Sequence, residues 1–488
     1  MISLGIDIGG TGCKCVAFSL EGQQLASCYE EYPLAAGHVN LPPRVLSQSV
    51  FNVIRGCVDK LANKNDVAVI TVSSFGESFV AIDRNGKELD DILMYFAHTQ
   101  SAAFDELVER VGQEKFMDIC RIKPDASYSL AKMLYTVQQA DVPVWKFLFI
   151  AGYICYQLTG CAATDVSLAC RSLLFDVKNE CWSQELMACA GIEEDQLPQV
   201  VQPGTMLGKL LPEAAERLGL SADVSVVIGS HDQIVNALGA GVQKPGDAVD
   251  VSGTCECIEP LFDAIPDTLD FQADNYACVP YLEGRGYVTY AYNISAGSVV
   301  RWCRDALGSH LKTDEKSVYT VLNEAAPAEP TSLMVLPFLQ GMGGTPDVDP
   351  GATGMIAGLT TQTRLPDLYR AILEGITFEM RYNLERLEKG NVRIQRMMAC
   401  GGGVRSQVWL QIKADILGCE ILPVQQEETG AMGSAILGFA AVLGEKPLTL
   451  ATRYWQYAPP VRPNPVHAKI YDKRYELYKK YRAWMKEN

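Results

Sequence analysis

Two stretches of the chain follow the same plan, and they constrain its fold more than any other feature. Residues 4–23 read LGIDIGGTGCKCVAFSLEGQ, and residues 247–263 read DAVDVSGTCECIEPLFD. Each combines an apolar strand, an Asp, a turn rich in Gly and Thr, and a second apolar strand. We therefore expect the same β-hairpin once in each half of the chain.

The rest of the chain alternates short β-rich runs with longer helical patterns, for example VAVITVSS at 67–74 and LPDLYRAILEGITFEMRYNLERLEK at 365–389. Such alternation predicts α/β layers. A length of 488 residues favours two to four domains. In the stretch GAGVQKPGD at 239–247, Gly and Pro interrupt both the helical and the strand periodicity. We therefore predict two domains, residues 1–242 and residues 243–488.

Charge and hydropathy exclude several classes of partner. The chain has 42 Lys plus Arg against 58 Asp plus Glu, a formal net charge of −16, and no basic block suited to a nucleic-acid backbone. Its most apolar run, FLFIAGYI at 147–154, is too short to span a bilayer. The first residues, MISLGIDIGG, enter a strand pattern without a basic leader. We expect a cytoplasmic protein with neither nucleic acid nor membrane as a partner.

The sixteen cysteines are scattered along the chain. The pairs Cys13/Cys15 and Cys255/Cys257 have one-residue spacing, with neither a His nor a second Cys pair beside them. Zinc sites use other spacings, so reduced and mostly buried thiols are the expectation.

Glycine-rich turns offer a way to bind oxyanions. Without Cβ atoms, a backbone can approach a ligand closely and aim successive amides at it. Both hairpin turns have this composition, and a third cluster, ACGGGVRSQVWLQIKADILG at 399–418, fits a strand, a Gly turn and an amphipathic helix. None of them is a GxGxxG or GxxxxGK[ST] motif. Ordinary hairpin turns remain the alternative for the first two.

An acid stands where a buried strand meets a helix, in GSHDQ at 229–233. Asp232 has two interpretations from the residues alone. It either caps the first turn of the helix or presents a carboxylate for proton transfer.

Several motifs occur together in one order: GIDIGGTGCK, SSFGES, GSHDQIVNALGAGVQKPGDAVDVSGT, LPFLQGMGGTPDVDPGATG, RAILEGITFEMR, GGGVRSQVWLQIKADILG and ETGAMGSAILG. This order resembles the FGGY carbohydrate kinases, a family that includes xylulokinase, gluconokinase and glycerol kinase, over about residues 3–445. Several motifs in sequence are far more specific than any single one.

The resemblance implies an α/β fold with two actin-like, ribonuclease-H-type domains and an interdomain cleft. It assigns a sugar mainly to residues 1–242 and ATP mainly to residues 243–488. Asp232 falls at the position of the family's catalytic base, which favours catalysis over capping. Asp7 falls where an acid holds the Mg²⁺ of the nucleotide.

The resemblance also implies the nucleotide contacts. They are Gly10, Thr11, Lys14, Gly253, Thr254, Gly297, Gly402, Gly403 and Ser406. Lys14 has the alternative of a solvated residue on an alternating strand, and Glu427 is expected to order the last turn rather than touch ligand.

The acceptor side departs from the family pattern. Xylulokinases usually have Gly-Gln-Met-His-Gly where this chain has SFGES at 74–78, so Glu77 and Ser78 are the candidates for binding hydroxyls. A Glu77 that only caps a local turn is the alternative.

Three further segments differ from the usual family residues. ILMYFAHTQ at 92–100 lacks the expected acid and Arg, Asn40 stands where an acid is frequent, and Gly152 stands where Asp is common. His98 and His231 could contact the acceptor, although packing roles are equally compatible with an isolated His.

The sequence thus predicts an ATP- and Mg²⁺-dependent kinase that phosphorylates a hydroxyl of a ketose such as xylulose, or of a related sugar, polyol or sugar acid. The alternative is a catalytically silent sugar or nucleotide sensor on the same fold. A homodimer is left open beside a monomer, and the tail HAKIYDKRYELYKKYRAWMKEN at 467–488 is expected to form an amphipathic helix packed on its own domain.

Overall fold

The computed structural model describes residues 1–34, 39–97, 101–313 and 315–487. The chain forms two compact units. The first unit comprises Met1–Gln243, Cys278–Tyr287 and Glu428–Trp455, and the second comprises Lys244–Ala277, Val288–Glu427 and Gln456–Asn488. The assignment of 1–242 and 243–488 as separate functional domains stays a prediction.

The strands are β1 (Ile2–Ile8), β2 (Gly12–Ser19), β3 (Gln24–Glu31), β4 (Asn40–Leu41), β5 (Val67–Ser74), β6 (Phe79–Ile82), β7 (Ile92–Leu93), β8 (Lys146–Phe149), β9 (Ala163–Asp165), β10 (Phe175–Asp176), β11 (Cys181–Trp182), β12 (Gln199–Val201), β13 (Met206–Lys209), β14 (Ser225–His231), β15 (Asp247–Ser252), β16 (Glu256–Phe262), β17 (Val279–Pro280), β18 (Tyr287–Val288), β19 (Ala291–Asn293), β20 (Met334–Leu336), β21 (Met355–Ala357), β22 (Arg396–Gly401) and β23 (Glu420–Pro423).

The α-helices are α1 (Pro43–Val58), α2 (Ala102–Val111), α3 (Gln113–Cys120), α4 (Ser129–Gln139), α5 (Ile150–Thr159), α6 (Val166–Ala169), α7 (Gln184–Ala190), α8 (Pro212–Leu218), α9 (Asp232–Ala240), α10 (Asp270–Ala273), α11 (Gly297–Trp302), α12 (Val318–Ala325), α13 (Leu365–Lys389), α14 (Gln407–Leu417), α15 (Thr429–Leu443), α16 (Pro447–Ala451) and α17 (Pro465–Glu487).

The first unit is built on a sheet with strand order β13-β14-β5-β1-β2-β3. β1 and β2 form an antiparallel hairpin, and β5 runs parallel to β1 on its other side. This register pairs Asp7 with Lys14 on β2 and with Ser73 on β5. Leu4, Ile6 and other apolar residues of β1 are fully buried, as expected for a strand covered on both faces.

The second unit repeats the arrangement. Strands β16, β15, β22 and β23 are neighbours in that order, β15 and β16 are antiparallel, and β22 is parallel to β15. The prediction of one hairpin in each half is confirmed, and so is the α/β class. The tail is also confirmed as a helix of its own unit, because Tyr471, Tyr475 and Tyr478 of α17 are buried in that unit's core.

Helix α15 packs on β1 and α9 with backbone against backbone. A Cβ added to Gly5 of β1 would overlap the carbonyl oxygen of Ala431, and a Cβ added to Gly433 would overlap that of Val235. On the opposing helix, a Cβ at Gly239 would overlap the carbonyl oxygen of Thr429. The first unit therefore depends on glycine at these contacts, since any side chain would separate the elements.

Within the described residues, no helix is long and apolar enough to cross a membrane.

We predict that Gly433→Ala lowers the free energy of unfolding by about 3 kcal/mol, because overpacking a close backbone contact costs this much or more. Urea denaturation followed by circular dichroism measures the change. Gly351→Ala is the matched control, since Gly351 is exposed and an added Cβ meets only the Asp349 carboxylate at 3.4 Å. Equal losses in the two variants would contradict the packing argument.

Candidate functional site

The first hairpin turn is held by hydrogen bonds around its glycines. The Gly9 amide donates to the Gly12 carbonyl at 2.9 Å, the Tyr32 hydroxyl donates to the Gly9 carbonyl at 3.1 Å, and the Tyr32 amide donates to the Thr11 carbonyl at 3.0 Å. A Cβ at Gly10 would lie 2.7 Å from the ring of Tyr95. Gly10 therefore allows the turn to approach an aromatic side chain, and Thr11 is exposed at its tip.

Asp7, next to the end of β1, is an acid in an unfavourable environment. Its pKa is raised to about 7, chiefly by burial and then by the Asp232 carboxylate, while Lys14 lowers it and Glu428 adds a smaller upward effect. The structure thus brings the predicted metal-binding acid and the predicted base close enough to interact electrostatically. An acid near neutrality with a like-charged neighbour is typical of functional sites.

Lys14 makes an ion pair that the sequence did not indicate. Its ammonium donates to both carboxylate oxygens of Glu428, at 2.9 and 2.8 Å, and both side chains are about one third exposed. The sequence prediction had considered Glu427, which instead forms an exposed pair with Arg405 at 3.2 Å. The sequence feature that could have indicated this pair is the position of Glu428, directly before the glycine-containing start of α15.

Asp232 begins α9, but it does not cap it. The capping acceptor is His231 Nδ1, which receives the Gln233 amide at 3.3 Å. Asp232 Oδ1 lies 3.0 Å from His231 Nδ1 and accepts no hydrogen bond from the described residues. The Asp232 side chain is 30% exposed. Its carboxylate is consequently available for other chemistry.

A buried network supports this corner. Asp165 caps α6 by accepting the Ser167 amide at 2.8 Å, and the Ser167 hydroxyl lies 2.7 Å from that of Ser230 and accepts the His231 amide at 2.9 Å. Burial raises the pKa of Asp165 to about 6. Sequence reasoning missed Asp165, since Ser230, which joins this network beside Ser167, lies 65 residues away from it.

The candidate acceptor turn follows β5. Glu77 has a left-handed backbone, with φ of +63°, and its carboxylate forms a nearly buried ion pair with Arg171. The Ser78 hydroxyl donates to the Leu93 carbonyl at 2.8 Å, so its proton is used within the fold. Arg171 was not foreseen, because it lies 94 residues from Glu77.

The departures from the family pattern have local explanations in part. Gly152 lies in α5, where an added Cβ would overlap the Ala163 carbonyl oxygen, so an Asp has no room there. Asn40 begins β4, which pairs with β7. Tyr95 and Phe96 are exposed aromatic residues in edge-to-face contact, with ring centroids 5.0 Å apart. His98 lies outside the described residues.

In the second unit, the turn between β15 and β16 packs on the start of α11. The Gly253 amide donates to the Cys255 carbonyl at 2.9 Å, and the Thr254 carbonyl accepts the Ser298 amide at 3.0 Å. A Cβ on Gly297 would overlap the Gly253 carbonyl oxygen. Gly297 is therefore required for this close approach, and Gly253 and Thr254 stay exposed.

The third glycine cluster surrounds the end of β15. A Cβ on Gly403 would lie 2.5 Å from that of Ser252, whereas one on Gly402 would come no closer than 3.8 Å to any atom. Ser406 caps α14 by accepting the Trp409 amide at 3.2 Å and donates to Asn323 Oδ1 at 2.6 Å. Gly402 is thus the exposed, open position of the cluster, while Ser406 is engaged within the fold.

Beneath these turns lies a buried ammonium that sequence reasoning missed. Lys413 binds Asp250, the Ser252 hydroxyl and Glu256, the last at 2.7 Å. Burial raises the pKa of Glu256 to about 7 although Lys413 opposes it. Lys413 thereby ties together the two strand ends that flank the Gly253 turn.

Among the described residues, no group of three or more His, Cys, Asp or Glu side chains could hold a metal ion. Mg²⁺ does not require such a group, because it binds through one or two carboxylates together with waters and substrate phosphates. The elevated pKa of Asp7 is what a nearby cation would relieve.

Comparison with known proteins identifies the same family over both units. Residues 2–239 match the N-terminal domain of the FGGY family of carbohydrate kinases, and residues 268–442 match its C-terminal domain. A xylulose kinase from Staphylococcus xylosus is 24% identical over 496 residues, covering 98% of each chain. A gluconokinase from Bacillus licheniformis is 27% identical over 453 residues, covering 90% of this chain and 87% of its own.

Solved structures share the fold. A ligand-bound xylulose kinase from Lactobacillus acidophilus superposes with a TM-score of 0.88 at 24% identity, covering 99% of this chain and 98% of that one. The chain belongs to the FGGY family of carbohydrate kinases, ATP-dependent phosphotransferases that act on sugar hydroxyls.

Proposed function

We propose that this kinase transfers the γ-phosphate of ATP to a hydroxyl of a ketose such as xylulose, or of a related sugar or polyol, with Asp232 as the base. One observation carries the proposal. Asp232 is the first residue of α9, and His231 rather than Asp232 caps this helix. The charge of Asp232 also raises the pKa of a second acid, Asp7.

Phosphoryl transfer gives Asp232 a defined task. The acceptor O–H bond breaks as the new O–P bond forms, the proton passes to the Asp232 carboxylate, and ADP leaves with the old bridging oxygen. The Asp232 side chain is 30% exposed, so part of the carboxylate is accessible to an acceptor, while its Oδ1 is buried beside the imidazole. The neighbouring imidazole, 3.0 Å away, limits the orientations that the carboxylate can adopt.

Asp7 is proposed to hold the Mg²⁺ that accompanies the nucleotide, directly or through water. When bound, Mg²⁺ neutralises charge on the phosphates. The side chain fits this role because its own charge is poorly compensated, as the pKa of about 7 indicates. Lys14, on the register position opposite Asp7, is proposed to contact a phosphate.

The nucleotide is proposed to bind residues of 243–488, and the acceptor residues of 1–242. Gly402 is the sharpest nucleotide candidate, because it is exposed and has space around its Cα. Gly253, Thr254, Gly297, Gly403 and Ser406 are proposed to shape the same site.

The names of the relatives set the acceptors to test. They include xylulose kinase, gluconokinase and L-fuculokinase at 24 to 27% identity, which is too distant to select one sugar.

We predict that Asp232→Asn lowers turnover at least about a hundredfold, the scale of losing a general base, with ATP affinity unchanged. ADP release from ATP and Mg²⁺ is measured with ketopentoses, ketohexoses, polyols and aldonates. Near-normal turnover in the variant would rule out Asp232 as the base. ATP binding without acceptor-stimulated ADP release would favour the silent sensor instead.

Gly402→Val is expected to weaken ATP binding at least tenfold while acceptor affinity stays the same, because the side chain occupies the space proposed for the nucleotide. Calorimetry with ATP and with the best acceptor measures both. Gly351→Val, in an exposed loop, is the matched control. Unchanged ATP affinity would exclude Gly402 from the nucleotide site.

Asp7→Asn is expected to raise stability while lowering turnover at least about a hundredfold. With a folded pKa of about 7, Asp7 retains a proton that the unfolded chain releases near pH 4, so its contribution to stability falls as pH rises from about 4 to 7. The variant should exceed the wild type by about 2 kcal/mol at pH 8, after allowance for partial exposure.

Urea denaturation at pH 5 and pH 8 tests this linkage, with the exposed Asp223→Asn as control. A parallel pH dependence in wild type and Asp7→Asn would contradict it.

A further inference from the structure

The turn at Glu77 is held in a costly conformation from two sides. A left-handed φ is unfavourable for a residue other than Gly or Asn and persists only where the surroundings enforce it. Here the Lys132 ammonium donates to the Glu77 carbonyl at 3.0 Å and to the Ser127 carbonyl at 2.6 Å. Lys132 is fully buried, and burial lowers its pKa to about 8. The buried Lys132 ammonium thus stabilises the backbone conformation of Glu77 although its own burial is unfavourable.

The Glu77 side chain is fixed by a second cation. Arg171 binds Glu77 Oε1 through Nε and Nη2, and the guanidinium also lies over the ring of Tyr128, 4.9 Å from its centroid. The two charged side chains are 13% and 10% exposed. An Arg–carboxylate pair this deeply buried restricts both side chains to one arrangement.

The pair lies next to the proposed base. A Cβ on Gly76 would come within 2.9 Å of both Arg171 Cγ and His231 Cδ2. The backbone of Gly76 therefore lies between Arg171 and the His231 imidazole, with no space for a side chain. The Glu77 turn thus borders the corner of the fold that carries Asp232.

We propose that Arg171 and Lys132 position Glu77 to accept hydrogen bonds from acceptor hydroxyls, and that the Glu77–Arg171 pair makes the site select neutral sugars or polyols over sugar acids. This inference rests on the proposed function and narrows its substrate class.

The selectivity follows from the charges around the turn. The Arg171 charge is offset by Glu77, and the Lys132 ammonium is directed at two backbone carbonyls. Asp232, on the other side of the His231 imidazole, adds a further carboxylate. A carboxylate on the acceptor would meet like charges at a turn whose two cations, Arg171 and Lys132, are already engaged, whereas a hydroxyl needs only an acceptor oxygen.

Glu77→Gln tests the selectivity. The substitution removes one negative charge from the turn and weakens the repulsion of an acceptor carboxylate, while the Arg171 guanidinium keeps its positive charge. We expect kcat/KM for the best of D-xylulose, glycerol and other neutral acceptors to fall at least tenfold, and the ratio of gluconate to that acceptor to rise at least tenfold. A wild type that prefers gluconate, or an unchanged ratio in the variant, overturns the proposal.

Arg171→Met tests the positioning. The KM of the acceptor should rise at least tenfold while the KM of ATP stays within twofold, and Arg171→Lys should recover part of the loss. Lys209→Met, which removes an exposed ion pair with Asp223, is the control and should change neither constant. Equal effects on both KM values would mean that Arg171 serves only the fold.

Calorimetry of acceptor binding tests the proposed selectivity independently of the proposed kinase activity. If no acceptor supports ADP release, the proposed function fails. Binding of D-xylulose and gluconate to wild type and Glu77→Gln still decides the selectivity. Weaker neutral-sugar binding and stronger gluconate binding in Glu77→Gln support it, and equal binding overturns it.

Discussion

The backbone contact of α15 with β1 and α9 underlies the rest of the first unit. Glycines at 5, 239 and 433 allow main chains to touch, and this contact brings the start of α15 to the end of β1. Glu428 then reaches Lys14, and a Cβ on Gly430 would lie 3.4 Å from the Asp7 carboxylate. The electrostatics of Asp7 and the position of α9, with Asp232 at its first residue, both depend on this packing.

Buried carboxylates have different partners in the two units. Lys413 is surrounded by two carboxylates and a hydroxyl, and burial still raises the pKa of one of them, Glu256, to about 7. Asp7 has a pKa of about 7 as well, but its charged neighbours include two carboxylates, Asp232 and Glu428, beside Lys14. Both hairpins thus hold a carboxylate whose charge is incompletely balanced, and in the first unit that carboxylate is the proposed ligand of a cation.

Local patterns predicted much of the fold and part of the site. The two hairpins, the strand before Asp232 and the C-terminal helix follow from hydrophobic periodicity and turn residues, which depend on near neighbours. Glu428 and Lys14 are 414 residues apart, and their pairing depends on a helix docking that no spacing reports. His231 rather than Asp232 caps α9. The sequence does not distinguish the two, because the orientation of each side chain determines which of two adjacent residues accepts the amide hydrogen bond. Arg171 could not be predicted either, because its partner Glu77 is 94 residues away in the sequence.

The discontinuous path of the chain has a consequence for synthesis. The first unit includes Glu428–Trp455, so its central helix leaves the ribosome long after Gln243. At about 5 to 20 residues per second, this delay is roughly 10 to 40 s. During that time the glycine faces of β1 and α9 lack the helix that covers them, and the nascent N-terminal half has only the apolar core that forms within residues 2–228.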